Sequence, residues 1–400
     1  MRHKIETERA DLFDVNMTIA MAVRLNVMPD LPALKDAFDA ACRLHEVLNT
    51  KVVIEPSGEA FYVEADGPHS SYNETELTFT ELISANESVR FRLEDGEFIR
   101  GFLSPDGLVF LMHHLGGDGK SLLYFIETFL KCLSGEPCEY TPFRSLTLDN
   151  LPAESRLPFF FDLLEKGWNR KWQKNRPVFT FSDLDAAYDS FWAAHRTETS
   201  IRHYDSAELD ELLGKAREAG VTLTAYLITD MIKDMRRKAD VGLAVDGRLD
   251  KTHAMGNQAT GISVEYEYNR KLSFRDNALK VQGLMKKKLE DPASRYLVLQ
   301  FMGKLDPTLT DALNLEHAGY YSSKLSARVA ELMGYGSKVK DISITNLTRA
   351  DIPYDYGEYK VEDIIFVPPV VSYGKTIIGI VTAGGSMNVS THVYSEGQST

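Results

Sequence analysis

Cysteine is scarce in this chain. Only Cys42, Cys132 and Cys138 occur in 400 residues, and none forms a CxxC pair. That excludes a disulfide framework and a zinc ribbon, and it suits a reducing compartment. Positive charge is also short. Forty-five Lys and Arg stand against 58 Asp and Glu, a formal net charge of −13, whereas a nucleic-acid binder would need a basic face. The same balance disfavours an acidic membrane surface or an acidic carrier protein, except through a local basic patch. No apolar run reaches the length of a membrane span. The opening stretch MRHKIETERADLFD has no apolar h-region, so a signal peptide is not expected and a cytoplasmic location is. Repeats and low-complexity segments are absent.

What is present is ordinary for a globular chain. Apolar residues make up 44% and charged residues 26%, enough for a large core. The length suits two domains or one two-lobed unit. One stretch organises the rest: LVFLMHHLGGDGKSLLYFIETFL, residues 108–130. Leu108 to Met112 is a continuous apolar run that predicts a buried strand. His113 and His114 end it, a Gly-rich turn follows, and Ser121 is placed to cap a helix. Leu122, Phe125, Ile126, Phe129, Leu130 and Leu133 then fall on one helical face. Side chains at such a strand-to-helix turn can reach a cleft.

Three readings compete for the two histidines: a structural turn, a metal site and a general base. Adjacent residues on an extended chain point to opposite faces. Only one of the pair would face a metal, and no HExxH or Cys/His spacing supplies further ligands, so no metal is expected. Gly119-Lys120-Ser121 imitates the end of a phosphate-binding loop, but GxxxxGK[ST] needs a glycine where His114 stands.

HHLGGDG resembles the HHxxxDG motif of the chloramphenicol-acetyltransferase-like superfamily. That group includes condensation domains, plant BAHD enzymes, and alcohol and wax-ester acyltransferases. Other stretches match in order: the helix ending in RLHEVLN, the helix–GVTLTAYL–helix segment, Asp246-Gly247-Arg248 followed by Gly256-Asn257, and Thr345-Asn346-Leu347-Thr348 where the family has SNxG. Asp355-Tyr356-Gly357 matches the BAHD DFGWG motif only weakly, so a condensation-like or alcohol-acyltransferase-like member fits better.

The resemblance implies α/β architecture. Two lobes, each a mixed sheet with helices, would meet at an active-site tunnel. We place the N-terminal lobe at 1–175 and the C-terminal lobe at 176–400. The resemblance further implies transfer of an acyl group from acyl-CoA, or from a phosphopantetheinyl thioester on a carrier protein, to a hydroxyl or amine. His114 would be the general base, a task suited to an imidazole because its ordinary pKa lies near neutrality. His113 would be structural. Asp118 would pair with Arg248 to hold the loop, and Gly119 would allow the turn and close approach of substrate. Ser343, Thr345 or Asn346 would contact the oxyanion or substrate. No bound cofactor is implied. The alternatives are a standalone condensation-type enzyme acting on carrier-bound substrates, and a non-catalytic binding member of the fold.

Secondary-structure expectations complete the reading. Strands are predicted at 17–25, 51–54, 61–63, 77–80, 341–346, 361–367, 370–372, 376–381 and 387–393, and residues 89–103 read as two strands or a hairpin around Glu94-Asp95-Gly96. FWAAHRTETS (191–200) reads as extended, and Ser206 as the cap of the next helix. His45 reads as a capping or partly buried histidine. Lys166 to Arg176 is a basic stretch, read either as a solvated helix face or as a patch for a CoA phosphate or carrier protein.

Overall fold

The structure, a computed structural model, describes residues 2–335 and 339–395. Its strands are β1 (Arg2–Lys4), β2 (Thr18–Leu25), β3 (Thr50–Ile54), β4 (Ala60–Glu64), β5 (Ser71–Glu74), β6 (Ile99–Ser104), β7 (Gly107–His113), β8 (Thr197–Tyr204), β9 (Ala239–Asp246), β10 (Ala259–Tyr266), β11 (Ile342–Arg349), β12 (Asp355–Tyr356), β13 (Tyr359–Val367), β14 (Thr376–Ala383) and β15 (Ser386–Tyr394). They form two six-stranded mixed sheets. The first runs β12-β13-β2-β7-β6-β5 and the second β10-β9-β11-β14-β15-β8; a small sheet β1-β4-β3 stands apart. Helices cover the sheets, giving two α/β lobes.

The motif strand and helix form as the pattern requires. β7 is buried along its whole length, which is why its sequence is a continuous apolar run rather than an alternating one. It lies between β2 and β6. Helix Gly119–Ser134 buries Leu122, Phe125, Ile126, Phe129 and Leu130 and ends at Gly135 in a left-handed turn. Phe125 and Phe129 pack edge-on against Phe110 of β7, with ring centroids 5.7 and 5.1 Å apart. These contacts fix the helix on the sheet and so fix the turn between them.

Several local expectations need correcting. Residues 77–80 are not a strand: Thr78 caps helix Phe79–Glu87 through a reciprocal bond with Glu81, a T-x-x-E capping box that outweighs the apolar spacing. The hairpin around Glu94-Asp95-Gly96 is a short 3₁₀ turn, Leu93–Asp95, closed by left-handed Gly96, and only β6 follows as a strand. Phe191–Ala194 belongs to helix Phe181–Ala194, begun by the Thr180–Asp183 capping box. Residues 370 and 371 are irregular rather than strand and lead into a turn at 372–373, where Ser372 donates to buried Asp14. Asp205 rather than Ser206 caps helix Ser206–Ala219. His45 is buried at the C-cap of helix Leu31–Leu44 and bonds Thr128 through Nε2. All three cysteines are free thiols, with the Cys132 and Cys138 sulfurs 3.7 Å apart.

The lobes interlock across the expected 175/176 boundary. Phe179, Leu184 and Phe191 pack in the first core. Far along the chain, β12 and β13 return to the first sheet, where β13 pairs with β2. After β13 the chain crosses to the second sheet as β14. Asn388 and Ser390 of β15 donate to the Ile364 and Phe366 carbonyls at 2.8 and 2.7 Å.

A buried carboxylate ties the lobes as well. Glu87 accepts from Asn16 Nδ2 at 3.0 Å and from Thr197, and His392 Nε2 lies 3.1 Å away. Asn16 belongs to the first lobe, Thr197 to β8 and His392 to β15. Glu87→Ala leaves the Asn16 and Thr197 donors unpaired in the interior, so it is expected to cost about 1–3 kcal/mol. A urea-unfolding midpoint within error of wild type would disprove the tie.

Candidate active site

The site is built at the end of β7. The His113 amide donates to Phe98 O and the His114 amide to Met17 O, each at 2.9 Å, so both histidines are pinned by the first sheet. Their side chains part as alternation requires. His113 is buried, with its ring edge-on to Phe91, and its Nδ1 accepts the Leu115 amide at 3.1 Å. Burial, then the neighbouring His114, Arg90 and Arg100, push its pKa down to about 3, so it stays neutral. The His114 side chain keeps 19% of its surface exposed, and its buried Nδ1 has no hydrogen bond among the described residues.

The turn that follows is held from the second lobe. Asp118, not Ser121, is the helix N-cap, and its carboxylate accepts the Ser121 amide at 2.9 Å. Ser121 instead spends its hydroxyl on Gly256 O at 2.8 Å. Arg248, just past β9, makes a two-pronged bond to Asp118, both contacts at 2.9 Å. The two side chains are only 5% and 6% exposed, and the Gln258 amide adds a further bond to the carboxylate at 3.0 Å. Burial alone would raise the Asp118 pKa, but the Arg248 charge and these bonds outweigh it and hold the carboxyl below its ordinary range.

Two glycines make this approach possible. Gly117 sits at φ 151°, and a Cβ there would lie 2.3 Å from the Ser121 Cβ. Gly256 sits at φ 139°, and a Cβ would lie 1.8 Å from Arg144 O. Gly119, expected to shape the turn and admit substrate, is the first residue of the helix. Its close neighbours are Phe366 and Leu347, so its smallness serves packing between the lobes.

The other expected residues lie on β11. Ser343 pairs in register with Ile377, which shares a small buried cluster with Met17, the residue bonded to the His114 amide. Thr345 lies two residues on, on the same face. Neither hydroxyl has a hydrogen bond to the described residues. The Asn346 side chain is already engaged: its amide donates to Thr224 at 3.0 Å and its oxygen accepts the Thr348 amide at 2.7 Å. Thr348 takes the left-handed φ of 61° just past it.

Sequence reasoning missed Asp11. Its Oδ2 lies 3.8 Å from His114 Nδ1 and accepts from Asn257 Nδ2 at 2.6 Å. Burial raises the Asp11 pKa, against the pull of His114 and of Asn257. Asp14, held by Ser372 and the Asn16 amide, is pushed up to about 6, again by burial. Nothing in the pattern ERADLFD distinguishes these acids from surface ones, and no local spacing links them to a histidine so far along the chain. No cluster of metal-ligating side chains occurs among the described residues.

The same arrangement of lobes is found in solved structures. Polyketide synthase associated protein 5 from Mycobacterium tuberculosis superposes with a TM-score of 0.60 at 15% identity, covering 99% of this chain and 94% of that one. The first condensation domain of the CDA synthetase gives 0.62 at 13%, over 99% and 92%. The trichothecene 15-O-acetyltransferase from Fusarium sporotrichioides gives 0.62 at 13%, over 98% and 90%. This is the condensation-domain fold. No family model and no curated protein matches the chain by sequence. In the condensation-domain fold as this chain builds it, the Asp118–Arg248 pair spans the lobes directly under the His114 turn.

Arg248→Ala leaves Asp118 buried and unpaired, so a loss of about 3–5 kcal/mol is expected near neutral pH. Because the Asp118 pKa is depressed in the folded state, its contribution is present above the ordinary carboxylate range and lost as pH falls through the folded value. Urea titrations should therefore show the gap between wild type and variant narrowing in acid. An equal gap at both pH values would refute the pairing as a source of stability.

Proposed function

We propose that the protein is an acyltransferase that moves an acyl group from a thioester donor to a hydroxyl or amine acceptor, with His114 as general base. The observation that carries this reading is a part-exposed imidazole on a loop clamped between two lobes of the condensation-domain fold. With Nδ1 turned toward Asp11, Nε2 is the nitrogen left to take the acceptor's proton. The acceptor heteroatom then attacks the thioester carbonyl and the C–S bond breaks. The proton held on His114 goes to the departing thiolate, so the histidine ends as it began. A base placed this way supplies roughly 100- to 10,000-fold. Direct transfer of this kind needs no serine or cysteine nucleophile.

Asp11 is a positioning residue in this scheme. Held by Asn257, its carboxylate 3.8 Å from Nδ1 stabilises the imidazolium that forms during attack. The free hydroxyls of Ser343 and Thr345 are the candidate donors to the oxyanion, ahead of Asn346, whose amide is spent. The donor is acyl-CoA or a phosphopantetheinyl thioester on a carrier protein. The likeness to condensation domains favours a second reading, a standalone condensation-type enzyme joining carrier-bound substrates.

Free-thiol release from a panel of acyl-CoAs, with mixed alcohols and amines, tests the proposal. Acceptor-dependent release that His114→Ala abolishes while its melting temperature holds is the expected result. Normal transfer by that variant rules out the base. Release only from carrier-bound donors selects the second reading, and release from neither leaves a binding role. Asp11→Asn should lower kcat about 10- to 100-fold with KM little changed. A loss confined to KM would remove Asp11 from the positioning role.

A further inference from the structure

Helix Phe159–Trp172 carries a surface that the acyl-transfer reading does not use. The helix is firmly seated. Trp172 Nε1 donates to Thr308 Oγ1 at 2.8 Å, Asn169 Nδ2 to Lys304 O at 2.9 Å, and Trp168 packs edge-on against Phe301. Its outer face is nonetheless apolar at the start, with Phe159 81%, Phe160 65% and Leu163 59% exposed. Phe161 is also exposed. Farther along, Lys166, Arg170, Lys171 and Lys174 are all exposed. Lys166 pairs with Asp162. Arg170, Lys171 and Lys174 have no ion pair among the described residues, although the chain as a whole is acidic at −13.

We infer that this helix docks the protein on an anionic lipid surface, the Phe159 and Phe160 rings and Leu163 entering the headgroup layer while the unpaired cations meet lipid phosphates. Residues advance by about 100° around a helix, so Phe159, Leu163 and Arg170 share the outer side, with Phe160 and Lys171 next to them, while Phe161 falls on the side of the seated Trp168. An apolar start followed by cations on the same exposed side is the pattern of a helix that lies in the headgroup region, which accepts protruding rings without a complementary hollow. The unpaired cations supply the charge match, each Lys or Arg near an anionic surface adding about fivefold to partition. This is surface association: no described helix is long and apolar enough to cross a membrane. The inference stands or falls independently of the proposed chemistry.

Co-sedimentation of the full chain with vesicles of phosphatidylcholine alone, or mixed with phosphatidylglycerol, provides the test. Wild type should bind the anionic vesicles and lose binding in high salt. Phe159→Ala/Phe160→Ala should abolish binding. Arg170→Ala/Lys171→Ala should weaken it about 25-fold. Both variants alter exposed side chains, and an unchanged melting temperature shows that the fold is intact. No wild-type binding to anionic vesicles overturns the inference, as does binding that survives in both variants. Failure on vesicles with capture by an acidic phosphopantetheinylated carrier protein, lost in the same variants, assigns the face to a protein partner and likewise overturns it.

Discussion

The rest of the site depends on the Asp118–Arg248 pair. A charged carboxylate and a guanidinium this deeply buried are tolerable only because each answers the other and backbone amides complete the shell. The pair does three tasks with one set of atoms. Asp118 starts the motif helix, it closes the His114 turn, and it reaches across to the loop beyond β9. Whatever shifts the second lobe against the first must pull on this bond, and the turn that carries the imidazole moves with it.

The two lobes are not separable along the chain. β13 begins in the first sheet and ends under hydrogen bonds from β15 of the second. Gly379 on β14 admits this crossing, because a Cβ there would lie 2.6 Å from Phe366 O. Glu87, with partners on both sides, adds a second tie. The junction between the lobes is therefore held by a chain crossing and by buried polar bonds, a rigid frame of the kind that holds a catalytic group in place.

Carboxylates near His114 divide by environment. Asp118 is ionised because Arg248 overcomes its burial. Asp11 and Asp14 lie in the same interior without a cation of that quality, and burial pushes both upward. Three acids in one neighbourhood are thus set to different protonation tendencies by their partners alone. Such separation is a common property of sites that handle protons.

The sequence by itself determined the motif and its local frame: a fully buried strand, two histidines forced to opposite faces by chain alternation, and an amphipathic helix after the turn. Resemblance in ordered stretches extended this to the two-lobed fold and to Arg248 as the partner of Asp118. Local competition hid other features. The Thr78–Glu81 capping box turned an expected strand into a helix, and Asp118 took the cap expected of Ser121. Only the tertiary structure decided that Asp11 and Asn257 stand beside His114, that the Asn346 amide is already spent, and that β13 closes the first sheet. Periodicity and capping act between residues a few positions apart, so a single sequence displays them. Contacts between residues hundreds of positions apart arise from how the lobes pack, and no local spacing encodes them.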